Sequence, residues 1–167
     1  NIGYGNGILK GLNEAKGEVI GWTHADLQTD PVDALLAFKI FEKNENNENL
    51  FIKGNRKGRK FIDNFFTFGM SIFESLLLGN ILWDINAQPT IFHKKFFKSF
   101  KNPPLDFSLD LYSFYLAKSS GMKILRIPVL FPKRKFGISS WDINFSSKLK
   151  FIKRTITYSL NLKKSFE

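Results

Sequence analysis

Short strand-like runs alternate with longer segments of helical period along most of this chain, and that alternation narrows the fold class before any motif is read. Residues 19–22, 50–53 and 123–131 carry the β-branched and aromatic side chains of strands, and 87–92 reads as a further extended stretch. Between them, residues 4–16, a segment opening at Asp30-Pro31, then 61–78 and 108–119 repeat apolar residues at helical spacing. Alternation of this kind predicts an α/β sandwich with a mainly parallel sheet. Ligands of such sheets lie at the carboxyl ends of strands, here the turn after Trp22 and the loop after Lys53.

Several boundaries are written locally. Asp30 is a helix N-cap, Pro31 suits the first helical position, and Asp33 suits the first turn. That helix dissolves in the Asn/Glu-rich stretch 44–49. On a wheel of 61–78, Asp63, Asn64, Thr67, Ser71, Glu74 and Ser75 share a narrow arc and apolar residues cover the rest. An arc that wide is more than one core face needs, so the helix is either sandwiched within its own domain or meets a second apolar surface. The tail from 145 reads as a basic helix. One stripe holds Phe145, Leu149, Ile152, Ile156 and Leu160; the nearly opposite one holds Phe151, Tyr158 and Leu162. With one stripe docked on the domain, the other, flanked by Lys150 and Arg154, is placed to meet an anionic membrane surface.

Composition excludes several functions. There is no cysteine, so disulfides, thiolate metal sites and thiol catalysis are ruled out. Two histidines do not support a zinc centre, and no run of about 18 uncharged apolar residues is present to cross a bilayer. The net charge of +10 is unevenly spread: residues 1–50 carry four Lys against eight acids, and 133–167 carry nine Lys or Arg against two. An acidic front and a basic rear suit a carboxylate-bound metal facing phosphates held by cations. A coding bias toward Lys, Asn, Ile and Phe accounts equally well for the bulk charge.

The sharpest chemical cluster is His24-Ala25-Asp26-Leu27-Gln28, after a strand and before the capped helix. On extended backbone, His24, Asp26 and Gln28 share one side and offer nitrogen and oxygen ligands to Mg²⁺ or Mn²⁺, with positions open for a diphosphate. The plainer reading is that Asp26 satisfies turn backbone. Gly3-Tyr4-Gly5-Asn6-Gly7 suggests a dinucleotide loop but fails in detail, because Ile8 stands where a third small residue is needed. A glycine-rich helix start remains compatible with phosphate or with close packing.

Taken in order, Gly3-x-Gly5 to Ala15-x-Gly17-Glu18, His24-Ala25-Asp26-Leu27-Gln28-Thr29-Asp30-Pro31, Gly54-Asn55-Arg56, Asp84-Ile85-Asn86-Ala87-Gln88-Pro89, Ile127-Pro128-Val129 and Arg134-x-x-Gly137-x-Ser139 resemble the middle of a family-2 glycosyltransferase. The likeness is to the polyprenyl- or dolichyl-phosphate sugar transferases and related bacterial cell-surface enzymes. It implies a partial GT-A fold, a Rossmann-like three-layer sandwich, over residues 1–144, with 145–167 as a basic amphipathic tail. It also implies a hexosyltransferase-type, inverting transfer from a nucleotide sugar to a polyprenyl phosphate or glycan precursor. The setting would be the cytoplasmic face of the membrane, with Mg²⁺ or Mn²⁺ as cofactor. Asp26 resembles the second acid of the metal-holding Asp-x-Asp motif, Gln28 a further ligand, and His24 stands where the first acid usually does. Arg56 and Arg134 resemble cations near the diphosphate or acceptor phosphate. Asp84, Gln88 and Ser139 fall on the acceptor side, and Asp84 or Asp110 is the candidate base for a hydroxyl acceptor.

The family opens with a strand bearing Pro-x-x-Asn-Glu and a βαβ unit that holds the nucleotide base, whereas this sequence opens at Asn1. The expectation is that these residues alone bind donor poorly or are inactive. Two noncatalytic readings compete. One is a nucleic-acid module using Lys57, Arg59, Lys60 and the 148–154 cluster, which the acidic front opposes. The other is a lipid-surface module descended from the same fold.

Overall fold

The structure, a computed structural model, describes residues 3–26, 28–45, 47–59, 61–132 and 145–166. In chain order it holds α1 (Tyr4–Glu14), β1 (Val19–Trp22), α2 (Val32–Glu42), β2 (Leu50–Lys57), α3 (Phe61–Leu78), β3 (Thr90–His93), α4 (Lys94–Phe97), α5 (Leu109–Ser119), β4 (Lys123–Leu130) and α6 (Phe145–Phe166). The Asp30 carboxylate accepts from the Val32 N–H at 2.9 Å, so the predicted cap opens α2. The fold class is mixed α/β, as the alternation predicts.

The sheet differs from expectation. Its order is β1-β3-β2-β4, with β2 and β4 parallel and β3 antiparallel to both β1 and β2. Three strands thus run one way, but the inserted β3 makes two of the three pairings antiparallel. The sheet is mixed rather than mainly parallel. Its direction was illegible because all four residues of β3 are buried, leaving no alternation to read.

Two apolar clusters, one on each face, hold the sheet. On one face Ile20, Trp22, Phe51 and Phe92 pack with Leu9 and Leu12 of α1, Leu109 and Phe114 of α5, and Leu162 of α6. On the other, Leu50, Ile52, Ile91, Ile127 and Val129 pack under Ala37 and Phe41 of α2. Strands covered on both faces read as continuous apolar runs, which is how 50–53 reads. Two glycines allow the backbone crossings: a Cβ on Gly21 would lie 2.1 Å from the Thr90 carbonyl oxygen, and one on Gly54 would lie 2.1 Å from that of Gln88.

The tail docks through the stripe that holds Tyr158 and Leu162. Leu162 is buried and Tyr158 packs beside it, while Leu149 and Leu160 are about half exposed. Arg154 pairs with Asp106 at 3.4 Å.

Candidate functional site

Because β1, β2 and β4 run the same way, their carboxyl ends share a rim. The turn His24–Gln28 leaves β1 there, Arg56 closes β2, and Phe131-Pro132 follow β4. Phe131 ties them together. Its ring lies 5.5 Å from the His24 ring and 5.1 Å from the Arg56 guanidinium. The Gln28 side-chain amide donates to the Pro132 carbonyl at 3.2 Å. The turn and both later strand ends are therefore physically joined.

Within the turn, Asp26 Oδ1 accepts from the Gln28 backbone N–H at 3.1 Å. This is the backbone-satisfying role weighed for Asp26 in the sequence. No group of three or more His, Cys, Asp or Glu gathers among the described residues. One carboxylate, one amide carbonyl and one imidazole suit a cation that takes its remaining oxygens from a bound ligand and water.

Behind the rim lies a buried charged cluster. Asp84 accepts from the Arg56 backbone N–H and from Arg56 Nε, both at 2.8 Å, and from Arg56 Nη2 as well. Arg126 Nη2 sits 3.9 Å from Asp84 Oδ2 and donates to the Asp84 carbonyl at 3.3 Å. Burial works to raise the Asp84 carboxyl, but the Arg56 charge and its hydrogen bonds outweigh that and hold it below the usual carboxylate range. A carboxylate held so low is a poor proton acceptor. Its geometry suits it to anchor Arg56.

Asp110 accepts from the Tyr4 hydroxyl at 2.8 Å and from Trp22 Nε1 at 3.2 Å, with Lys53 Nζ at 3.6 Å. Gln88 donates through its amide to the Tyr4 hydroxyl, so α1, β1 and α5 meet the segment before β3 at one network. Burial and the Asp110 charge push the Tyr4 hydroxyl far up, which keeps it a neutral donor. Lys53 is fully buried; desolvation lowers it to about 8 against the opposing pull of Asp110. It donates to Thr90 Oγ1 at 3.1 Å and lies 5.7 Å from the Phe114 ring.

Arg126, drawn down to about 10 by burial, is part-exposed beside the same ring at 5.5 Å. Its Nε and Nη1 make no hydrogen bond among the described residues. Both atoms are buried, so Arg126 contributes its charge to the cluster from behind the rim.

The structure thus brings Arg56 and Asp84 into one ion pair and places Asp110 and Gln88 in a neighbouring network through Tyr4. His24, Asp26 and Gln28 stand at the rim. Arg134 and Ser139 lie outside the described residues. Sequence reading missed Tyr4, Trp22, Lys53, Arg126 and Phe131. A signal existed for one: Lys53 interrupts the apolar run Leu50-Phe51-Ile52 where a solvated lysine has no place. The glycines at the start of α1 are explained by packing. A Cβ on Gly5 would strike the backbone of 104–106 at 2.6–2.7 Å, and the Asn6 N–H donates to the Leu105 carbonyl at 3.0 Å. No protein-family model and no curated protein matches the chain.

Proposed function

We propose that this chain is part of an inverting glycosyltransferase that moves a sugar from a nucleotide-sugar donor to a membrane-associated acceptor, either a polyprenyl phosphate or a glycan precursor. One observation carries the reading: the His24–Gln28 turn, Arg56 and the end of β4, far apart in sequence, converge on one rim through Phe131 and Pro132. That is where an α/β sheet presents a ligand.

The chemistry would be an in-line displacement at the anomeric carbon. Arg56, fixed by Asp84, would turn its guanidinium charge to the departing diphosphate, with the buried charge of Arg126 behind it. Mg²⁺ or Mn²⁺ at Asp26 supplies further positive charge there when bound. A phosphate acceptor needs little help from a base. A hydroxyl acceptor would have to lose its proton to a carboxylate less tightly held than Asp84.

The test is Asp26→Ala in the protein expressed from its complete reading frame. Metal-dependent transfer should fall at least about a hundredfold while the circular dichroism spectrum is kept. Unchanged turnover would sink the assignment of Asp26. His24→Asp should retain or raise activity with Mg²⁺, because it adds a hard carboxylate. A noncatalytic membrane-surface module is the second reading. It is favoured by the capture of both buried carboxylates, Asp84 and Asp110, in bonds within the protein.

A further inference from the structure

α3 is built inside out for a helix on a water-soluble surface. Its polar residues Ser71 and Glu74 are buried, with Glu74 Oε1 accepting from Ser159 of α6 at 2.7 Å. The opposite arc presents Phe65, Phe68, Ile72 and Leu76 to solvent, with Leu76 80% exposed. Ile81, 79% exposed, and Trp83 extend that surface, and the Phe68 and Trp83 rings meet edge-on at 6.0 Å. An open groove of about 260 Å³ runs between them. From 64 to 83 the one ionisable side chain is Glu74, and it faces inward. So large a charge-free apolar patch marks an interaction surface.

The borders say what covers it. Lys57 and Arg59 precede α3, and Arg59 reaches along its first turns to Thr67 Oγ1 at 2.6 Å. α6, against which α3 packs, exposes Lys153, Lys163 and Lys164, with Arg154 paired to Asp106, and carries no acid from 145 to 166. A second apolar face, Val32, Leu35 and Leu36 of α2, has a mixed border: Asp30, Asp33 and Glu42 together with Lys39 and Lys43. Anionic headgroups would be drawn to the cation-rich border of α3 rather than to that mixed one. No helix among the described residues is long and apolar enough to cross a membrane. Aromatic and aliphatic side chains edged by cations suit a helix lying in the plane of the interface.

We propose that the outer face of α3, with Ile81 and Trp83, inserts into the interfacial layer of an anionic bilayer, while the cations of α6 and of the segment before α3 contact lipid phosphates. This rests on the membrane-peripheral part of the proposed function and is independent of sugar transfer.

Flotation of the full chain with phosphatidylcholine vesicles containing about one-third phosphatidylglycerol tests it directly. Binding is expected there and not to phosphatidylcholine alone. Ile72→Asp/Leu76→Asp should lower partitioning at least about tenfold, and Val32→Asp/Leu35→Asp should leave it unchanged. Both pairs are solvent-facing, so circular dichroism should match the parent. In the unmodified chain, brominated acyl chains should quench emission that Trp83→Phe removes. Equal vesicle binding by the α3 variant, or no quenching of Trp83, would overturn the proposal. So would absence of vesicle binding with self-association that Leu76→Asp abolishes, since the occupant would then be a second copy. Vesicle binding without any sugar transfer would keep this inference and remove the enzymatic one.

Discussion

Asp84 adopts φ 46°, a left-handed backbone that Asp tolerates better than most residues, and its buried carboxylate answers Arg56 and Arg126. Removing it would strand two part-buried guanidinium groups. Asp84→Ala is expected to lose about 3–5 kcal/mol in urea unfolding, the cost of breaking a buried pair from one side. Asp84→Asn should lose less, because it keeps the backbone preference and some hydrogen bonding. The folded carboxyl titrates below its ordinary value, so its stabilisation is present above about pH 4 and is lost as pH falls through the lower folded value. A similar argument applies to Gly54. With the Gln88 carbonyl 2.1 Å from any added Cβ, Gly54→Ala must separate β2 from the crossing segment. It is expected to unfold the chain or cost several kcal/mol, read as a fall in melting temperature. Neither pairing was legible in the sequence. The Arg56–Asp84 bond spans 28 positions and the Tyr4–Asp110 bond spans 106, and nothing local in either residue records its partner. The turn chemistry of Asp26 and the cap at Asp30 were legible because their partners lie two residues away.

At the scale of elements, the α3–α6 clasp is the most pH-sensitive joint described. Burial raises the Glu74 carboxyl to about 7, against the lowering effect of the Ser159 hydroxyl. A protonated Glu74 can donate to Ser159 Oγ while Ser159 keeps its own hydrogen on the Thr155 carbonyl, 2.8 Å away. The sign follows from a folded value above the unfolded one. This contribution is fully present below pH 4.5 and is lost as pH rises through about 7. Glu74→Gln should therefore match the parent near the lower limit and exceed it by roughly 1–3 kcal/mol at pH 8. Melting curves across that window check it; a parent that gains stability toward pH 8 relative to Glu74→Gln would contradict it. Helices and the longer strands were legible because each repeats its own period over many residues. β3 was legible only as the end of the extended stretch 87–92, and the single turn α4 was not legible, since one helical turn shows no period. Which stripe of α6 docks was not legible, because both stripes are apolar and only α3 and the core decide it.

Across the whole molecule, the charge gradient acquires a spatial meaning. The mixed charges around α2 and the basic residues of α6 edge two different apolar faces, so the side of α3 and α6 is the one marked for anionic partners. The rim between them carries the His24–Gln28 turn, with Arg56 and Arg126 behind it. The most direct measurement is transfer of labelled sugar from nucleotide sugars into lipid extract by the protein expressed from its complete reading frame. It should be run with Mn²⁺, with chelator, and with Asp26→Ala. Transfer that requires the metal and falls at least about a hundredfold in the variant is the predicted result. Transfer indifferent to both chelator and Asp26→Ala would contradict the account.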